Sequence, residues 1–174
     1  MSVSGRDHRQ RSDLLAEHPW GDAGQLVLAI LFLVVWAVDT FLLHYTTFVN
    51  AHVLLGLRIA VGIVNILVAF YMARSSQRIV FGTVREPPEI IREGVYGIVR
   101  HPMYLSEILL GLGLLLFSLS LAAAAVWVLA IGFLHIIARY EERQLLAHFG
   151  DDYREYMREV PMWLPSVTAR LLDR

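Results

Sequence analysis

The fold turns on Tyr104-Leu-Ser-Glu-Ile-Leu-Leu-Gly-Leu-Gly-Leu-Leu-Leu-Phe-Ser118-Leu119-Ser120-Leu-Ala-Ala-Ala-Ala-Val-Trp-Val-Leu-Ala-Ile-Gly-Phe-Leu-His135-Ile-Ile-Ala138, an almost unbroken apolar block. As one helix at 1.5 Å per residue it would be ~50 Å long. The hydrocarbon core of a bilayer is only ~30 Å thick. The block is therefore expected to break at Ser118-Leu119-Ser120 into two shorter helices. Upstream, two more apolar blocks run from about Gln25 to Leu43 and from about Ala51 to Ala73. Each has about the 20 residues a spanning helix needs. The seam between them, His44 to Asn50, carries no acidic or arginine side chain.

These blocks predict an all-α integral membrane protein. It has four transmembrane helices in two hairpins, followed by a C-terminal amphipathic helix. Residues 1–24 form a polar cytoplasmic N-terminus with no signal-peptide cleavage pattern. Residues 25–73 form the first hairpin, and residues 74–174 hold the second hairpin and the tail. Of the 174 residues 56% are apolar and the formal net charge is −1, so nothing suggests a nucleic-acid partner. With no cysteine, disulfides, thiolate metal sites and cysteine nucleophiles are excluded. No two of the seven histidines show metal-ligand spacing on a helix, so no metal site is expected. Every basic residue is arginine, which fits a GC-rich bacterial genome and so a bacterial inner membrane.

Arginine placement orients the hairpins. Arg6, Arg9 and Arg11 precede the first helix, and Arg74, Arg78, Arg85, Arg92 and Arg100 lie between the second and third. Arg139, Arg143, Arg154, Arg158, Arg170 and Arg174 follow the fourth. Four spans put all of them on the cytoplasmic side, as the positive-inside rule requires.

Chemistry-bearing residues cluster after residue 93. In Glu93-Gly-Val-Tyr-Gly-Ile-Val-Arg-His-Pro-Met-Tyr104, Pro102 suits the first turn of a helix. That helix then presents Arg100, Tyr104, Glu107 and Gly111 on one face. A carboxylate one turn inside a membrane helix, as Glu107 is, faces a partner or a cavity. Gly111 and Gly113 allow close backbone approach, either by a neighbouring helix or by a cofactor. Near the end of the fourth helix, His135, Arg139 and Glu142 share a face, with Glu141 adjacent. Two acidic groups at a helix C-terminus oppose the helix dipole. Gly150 is placed to end that helix and Asp151 to cap the next, whose apolar face is Tyr153, Tyr156, Met157 and Val160. Such a helix would lie on the membrane surface or close over a pocket. In the first hairpin Asp39 and Arg58 either pair with each other or leave Arg58 facing a substrate; Asn65 lies two turns beyond Arg58.

The ordered set Arg100-His101-Pro102, Tyr104, the glycine pair, Glu141-Glu142, Leu145, Phe149-Gly150, Tyr153, Tyr156 and Pro165 resembles the isoprenylcysteine carboxyl methyltransferase and phospholipid methyltransferase superfamily. The resemblance covers about residues 94–165, and the first two helices carry no matching motif. It implies a membrane enzyme that binds S-adenosyl-L-methionine and methylates a lipophilic or lipidated acceptor, isoprenylcysteine carboxyl O-methyltransferase-like. It further implies that His101, Tyr104, Gly111, Gly113, Glu141 and Glu142 line the cofactor. His101 or Arg100 would meet its carboxylate, and the glutamates its ammonium or ribose diol. Alternatives are a phospholipid N-methyltransferase, an NADPH-dependent membrane reductase of related architecture, and a scaffold without activity. A carboxylate acceptor arrives ionised and needs a counter-charge, which Arg58 or Arg139 would supply. An amine must lose a proton, and Glu107 is then the candidate base. Arg58 at membrane depth tips this reading toward an anionic acceptor. Topology reporters fused at Thr46 and after Arg174 are expected on opposite sides of the membrane; the same side for both would sink the four-span arrangement.

Overall fold

A computed structural model describes residues 21–82 and 87–164; the polar residues 1–20, Arg85 and the segment from Pro165 onward, singled out above, lie outside the described residues. The described residues hold helices and turns and no strand. Helix α1 (Gly21–Val38) runs into a π-helical turn (Asp39–Leu43), and α2 (Leu55–Gly82) follows a short 3-10 turn at Phe48–His52. Then come α3 (Pro102–Ser118), α4 (Leu121–Phe149) and α5 (Asp151–Glu159). Three segments, Gly21–Leu43, Leu55–Gly82 and Leu121–Phe149, are long and apolar enough to cross a membrane. The fourth expected span, α3, is apolar but has 17 residues, ~25 Å at 1.5 Å per residue.

The break in the third apolar block falls where the length argument places it. Leu119 adopts a left-handed backbone (φ 45°, ψ 37°), uncommon for a residue with a Cβ. Its cost is offset by what the turn satisfies. Helix α4 opens with N–H groups that have no partner within the helix, and lipid offers none. Ser120 Oγ accepts from Ala123 N at 3.1 Å, Thr46 Oγ1 accepts from Ala122 N at 3.0 Å, and Thr46 O accepts from Leu121 N at 3.3 Å. Asp39 binds these caps together. Its carboxylate accepts from Ser120 Oγ (2.6 Å), Thr46 Oγ1 (2.5 Å) and Thr46 N (3.1 Å). The expected Asp39–Arg58 pairing is therefore replaced: Asp39 serves the outer turns, and Arg58 donates to Asn50.

Helices α2 and α3 pack antiparallel. A Cβ on Gly113 would stand 3.1 Å from Gly62 O and 2.6 Å from Ile66 Cγ1, so this glycine admits α2. Helix α1 lies against α3 and α4, with Phe32 packed on Leu115 of α3 and Ala123 of α4, and Trp36 Nε1 donates to Leu114 O of α3 at 3.0 Å. One helix end differs from expectation: α2 runs to Gly82, well beyond the end of its apolar block at Ala73, while α4 continues past its apolar block to Phe149. Polarity marks where a membrane ends, but a helix satisfies its own backbone in water as in lipid and need not stop there. Gly150, at φ 58°, ends α4 as expected. Asp151 does not cap α5; it is the first helical residue, and its carboxylate pairs with Arg154.

Gly113→Val is expected to force α2 and α3 apart and lower stability by about 1–3 kcal/mol, read as a lower midpoint of thermal unfolding in detergent. Gly132→Ala, where an added Cβ meets nothing within 4 Å, should leave the midpoint unchanged.

Candidate active site

Residues at the N-terminal end of α3 and in the C-terminal half of α4 come together because α4 outlasts α3. Beyond the level of Pro102, α4 continues for about three turns, and the segment before α3 folds across it. Arg100 is the junction. Its Nε donates to Glu142 Oε1 at 2.7 Å, and its Nη1 donates to Met157 O (2.9 Å) and Val160 O (2.5 Å). A guanidinium on the last carbonyls of α5 complements that helix's dipole. The backbone adds Arg100 N to Pro161 O at 3.0 Å. Arg92 holds the other side of α5, donating to Asp152 O at 2.9 Å and lying over the Tyr156 ring. Tyr153 and Tyr156 are buried with Val160 against Ile90, Leu145, Leu146 and Phe149. Burial pushes both phenols well above their usual range, so Tyr156 stays a donor, and it donates to Tyr96 O at 2.8 Å.

Inside this strap sit the acidic pair and His101. Glu142 is 2% exposed, and its Oε2 is buried with no hydrogen-bond partner. An orphaned carboxylate oxygen at such depth is costly unless something donates to it. His101 lies between the glutamates, Nε2 3.4 Å from Glu142 Oε1 and Nδ1 3.7 Å from Glu141 Oε2. Tyr104 donates to Glu141 Oε1 at 2.5 Å. The free acceptor position on Glu142, with the Glu141 carboxylate close by, suits a ligand that brings a cationic or hydroxyl donor.

One turn deeper, the face of α3 changes character. Glu107 and Gly111 line a cavity of about 470 Å3 between α1, α3 and α4, whose walls include Phe32, Trp127 and Leu134, with Asp22 and Gln25 also in its lining. Glu107 also lines a second cleft, of about 190 Å3, between α2 and α3, with Gln77 and Ser106 as its other polar groups. Neither cavity is lined by an arginine among the described residues.

The structure thus brings Arg100, His101, Tyr104, Glu141 and Glu142 into one cluster, with Glu107 and Gly111 next to it on α3. It separates the rest of the expected set. Gly111 makes room for Trp127, whose indole donates to Ile108 O at 3.0 Å, while Gly113 faces α2. Arg139 is exposed on α4. Arg58 is buried in the first turn of α2, level with the end of α3. About 16 residues of helix, or ~25 Å, separate it from His101. Trp163 was not legible as a site residue. It follows α5, stands 5.9 Å from the His101 ring, and donates through Nε1 to His135 Nδ1 at 3.2 Å. Only its place two residues after Pro161 could have marked it.

The phospholipid methyltransferase family matches residues 51–152, more than half of the chain. The chain belongs to that family. This phospholipid methyltransferase family member is 36% identical over 83 residues to methanethiol S-methyltransferase 2 of Bradyrhizobium diazoefficiens, covering 44% of this chain and 29% of that protein. It is 37% identical over 78 residues to the methanethiol S-methyltransferase of Mycobacterium tuberculosis, covering 41% and 28%. It is also 33% identical over 85 residues to the cobalt-zinc-cadmium resistance protein CzcN of Cupriavidus metallidurans, covering 48% and 39%. The matches span under a third of each methanethiol methyltransferase. No solved structure matches. Membership in this family sets the reductase alternative aside.

Arg100→Lys cannot reach Glu142 and two carbonyls at once. It is expected to release α5, read as faster hydrogen exchange across residues 151–160 with exchange in α2 unchanged. Equal protection of α5 in the variant would show that the apolar cluster alone holds it.

Proposed function

We propose that the chain is an integral membrane methyltransferase that uses S-adenosylmethionine to methylate a lipophilic acceptor whose nucleophile carries its own proton, a thiol or an amine. The observation that carries the cofactor is the unpartnered Glu142 Oε2, buried between Arg100 and His101 in the family-matched segment. Glu142 would accept from the ammonium or the ribose diol, with Glu141 beside it, and Arg100 would fix the Glu142 carboxylate rather than meet the ligand. Gly111 and the apolar walls of the cavity would keep water from the reacting atoms. S-adenosylmethionine, when bound, supplies an electrophilic methyl group. The half of the chain from residue 74 onward would carry this cofactor site.

The acceptor follows from charge. A carboxylate acceptor, as in isoprenylcysteine methylation, needs a counter-cation, and Arg58 was the reason to favour one. Arg58 stands at the far end of the bundle, and Glu107 is the ionisable side chain shared by both cavities. A carboxylate there repels an anionic acceptor. It suits a neutral one, because Glu107 can take the proton that a thiol or amine must lose. The methanethiol methyltransferase names of two relatives agree with a thiol. A lipophilic acceptor would reach the cavity from the bilayer, which leaves the aqueous end of the site to the cofactor.

Calorimetry in detergent should show one S-adenosylmethionine per chain, weakened about tenfold or more in Glu142→Gln. With an alkanethiol or alkylamine acceptor, Glu107→Gln should lower kcat by about a hundredfold while cofactor affinity holds. Binding of NADPH without binding of S-adenosylmethionine would falsify the cofactor assignment. An undiminished rate in Glu107→Gln would move the proton to another group.

A further inference from the structure

Four rings stand in a row at the cytoplasmic-side cluster. Tyr104 and His101 are nearly parallel, 8° apart with centroids at 5.7 Å. His101 and Trp163 follow at 5.9 Å and 39°, and Trp163 and His135 at 6.3 Å and 38°. Trp163 belongs to no helix. It is fixed at one edge by its hydrogen bond to His135, and its segment is tied down by the bond from Arg100 N to Pro161 O. Its indole is half-buried, next to the histidine that Glu141 and Glu142 flank. Carboxylates and aromatic faces recognise cations differently. A carboxylate takes an ammonium through N–H donors. A sulfonium has no donor, and is held only by charge and by the negative face of a ring, for which indole is the strongest.

We propose that Trp163 reads the sulfonium charge, holding the methyl donor through its indole face and releasing the neutral thioether product. The inference rests on the S-adenosylmethionine reading and deepens it. Donor and product share the ammonium, the carboxylate, the ribose and the base, so Glu141 and Glu142 contact them alike. They differ only in one methyl group and one positive charge at sulfur. Beyond the long-range pull of the carboxylates, discrimination between them needs a group that senses that charge in direct contact and without a hydrogen bond. Tyr104 and Trp163 both hydrogen-bond through an edge, but Tyr104 is stacked on His101 at 8° while Trp163 is tilted from both of its neighbours and carries the more electron-rich indole face. Because Arg100 joins its segment to Glu142, the ligand's hydrogen-bonding end and its sulfur would be gripped by one connected unit.

The test uses the full chain in detergent and calorimetry with S-adenosylmethionine and S-adenosylhomocysteine. Wild type should favour the charged donor by about five- to thirtyfold. Trp163→Leu should weaken the donor by that factor and leave the product's affinity unchanged, so the preference collapses. Trp163→Phe should keep part of it. An analogue with a protonated amine in place of the sulfonium should follow the donor. Donor binding should also quench more tryptophan emission in wild type than in Trp163→Phe. The unchanged product affinity reports that the variants are folded. Equal loss for both ligands, or an unchanged ratio in Trp163→Leu, overturns the role given to Trp163 while S-adenosylmethionine binding stands. A wild-type chain that binds neither ligand overturns the cofactor assignment and this inference with it.

Discussion

A helix that starts inside a membrane must find partners for its first N–H groups, and that constraint fixes this fold. Helix α4 finds them in Ser120 and in Thr46, from the turn between α1 and α2, with the Asp39 carboxylate holding both. Three distant points of the chain are thereby locked at one end of the bundle. The hydroxyls of Thr46 and Ser120 each work twice, toward Asp39 and toward the α4 backbone. Replacing any one with an apolar group would strand at least one polar partner where water cannot compensate. This explains how a buried acidic residue is kept at the end of α1, its carboxylate satisfied by hydroxyl and backbone donors among the described residues.

The far end follows from the near end. With α3 and α4 starting from a common turn, their lengths decide what meets. Helix α3 has 17 residues and α4 has 29, so the last three turns of α4 have no α3 beside them. The loop before α3 and helix α5 fill that space, and the Arg100 side chain touches Glu142 and the end of α5 together. The ionised pair is 8% and 3% exposed at the side chain. Such burial is weak evidence of stability, since a well-packed apolar pair would often serve as well. Its value is orientation: Oε1 of Glu142 is committed to Arg100, which leaves Oε2 as the oxygen without a partner.

Much of this was legible before any coordinates. The break at 118–120 followed from helix length against bilayer thickness, and the cluster of Arg100, His101, Tyr104, Glu141 and Glu142 followed from motif order. The end of α2 was less legible than that of α4: Arg74 marks a polar boundary but the α2 backbone continues as helix to Gly82, whereas the apolar Leu145-Leu146 and Gly150 announced the continuation and the stop of α4. The partners of Asp39 were hidden because they lie 7 and 81 residues away, and only the register of two hairpins brings them in. The glycine pair could have been read better. Residues two apart on a helix point ~200° apart, so Gly111 and Gly113 had to serve different neighbours. Trp163 belongs to an irregular segment, where no periodicity announces which way a side chain turns.

Two neighbouring regions along α3 differ sharply in polarity. Methyl transfer to a membrane-dissolved acceptor needs a charged, water-soluble donor and an apolar nucleophile in one place. The acidic cluster sits where α4 leaves the apolar span, within reach of water. Glu107 lies six residues further along α3 than His101, ~9 Å deeper at 1.5 Å per residue, on the wall of an apolar cavity. The proposed donor and acceptor would therefore approach from opposite directions along α3, the donor from the aqueous side and the acceptor from lipid. Tyr104 lies between the two regions, bonded to Glu141 on the aqueous side and one turn from Glu107 on the other. Had Arg58 or another guanidinium lined the cavity, the same geometry would have favoured an anion; with the carboxylates of Glu107 and Asp22 in its lining instead, the electrostatics support the proposed acceptor, one that would arrive neutral and give up its proton at the moment of attack.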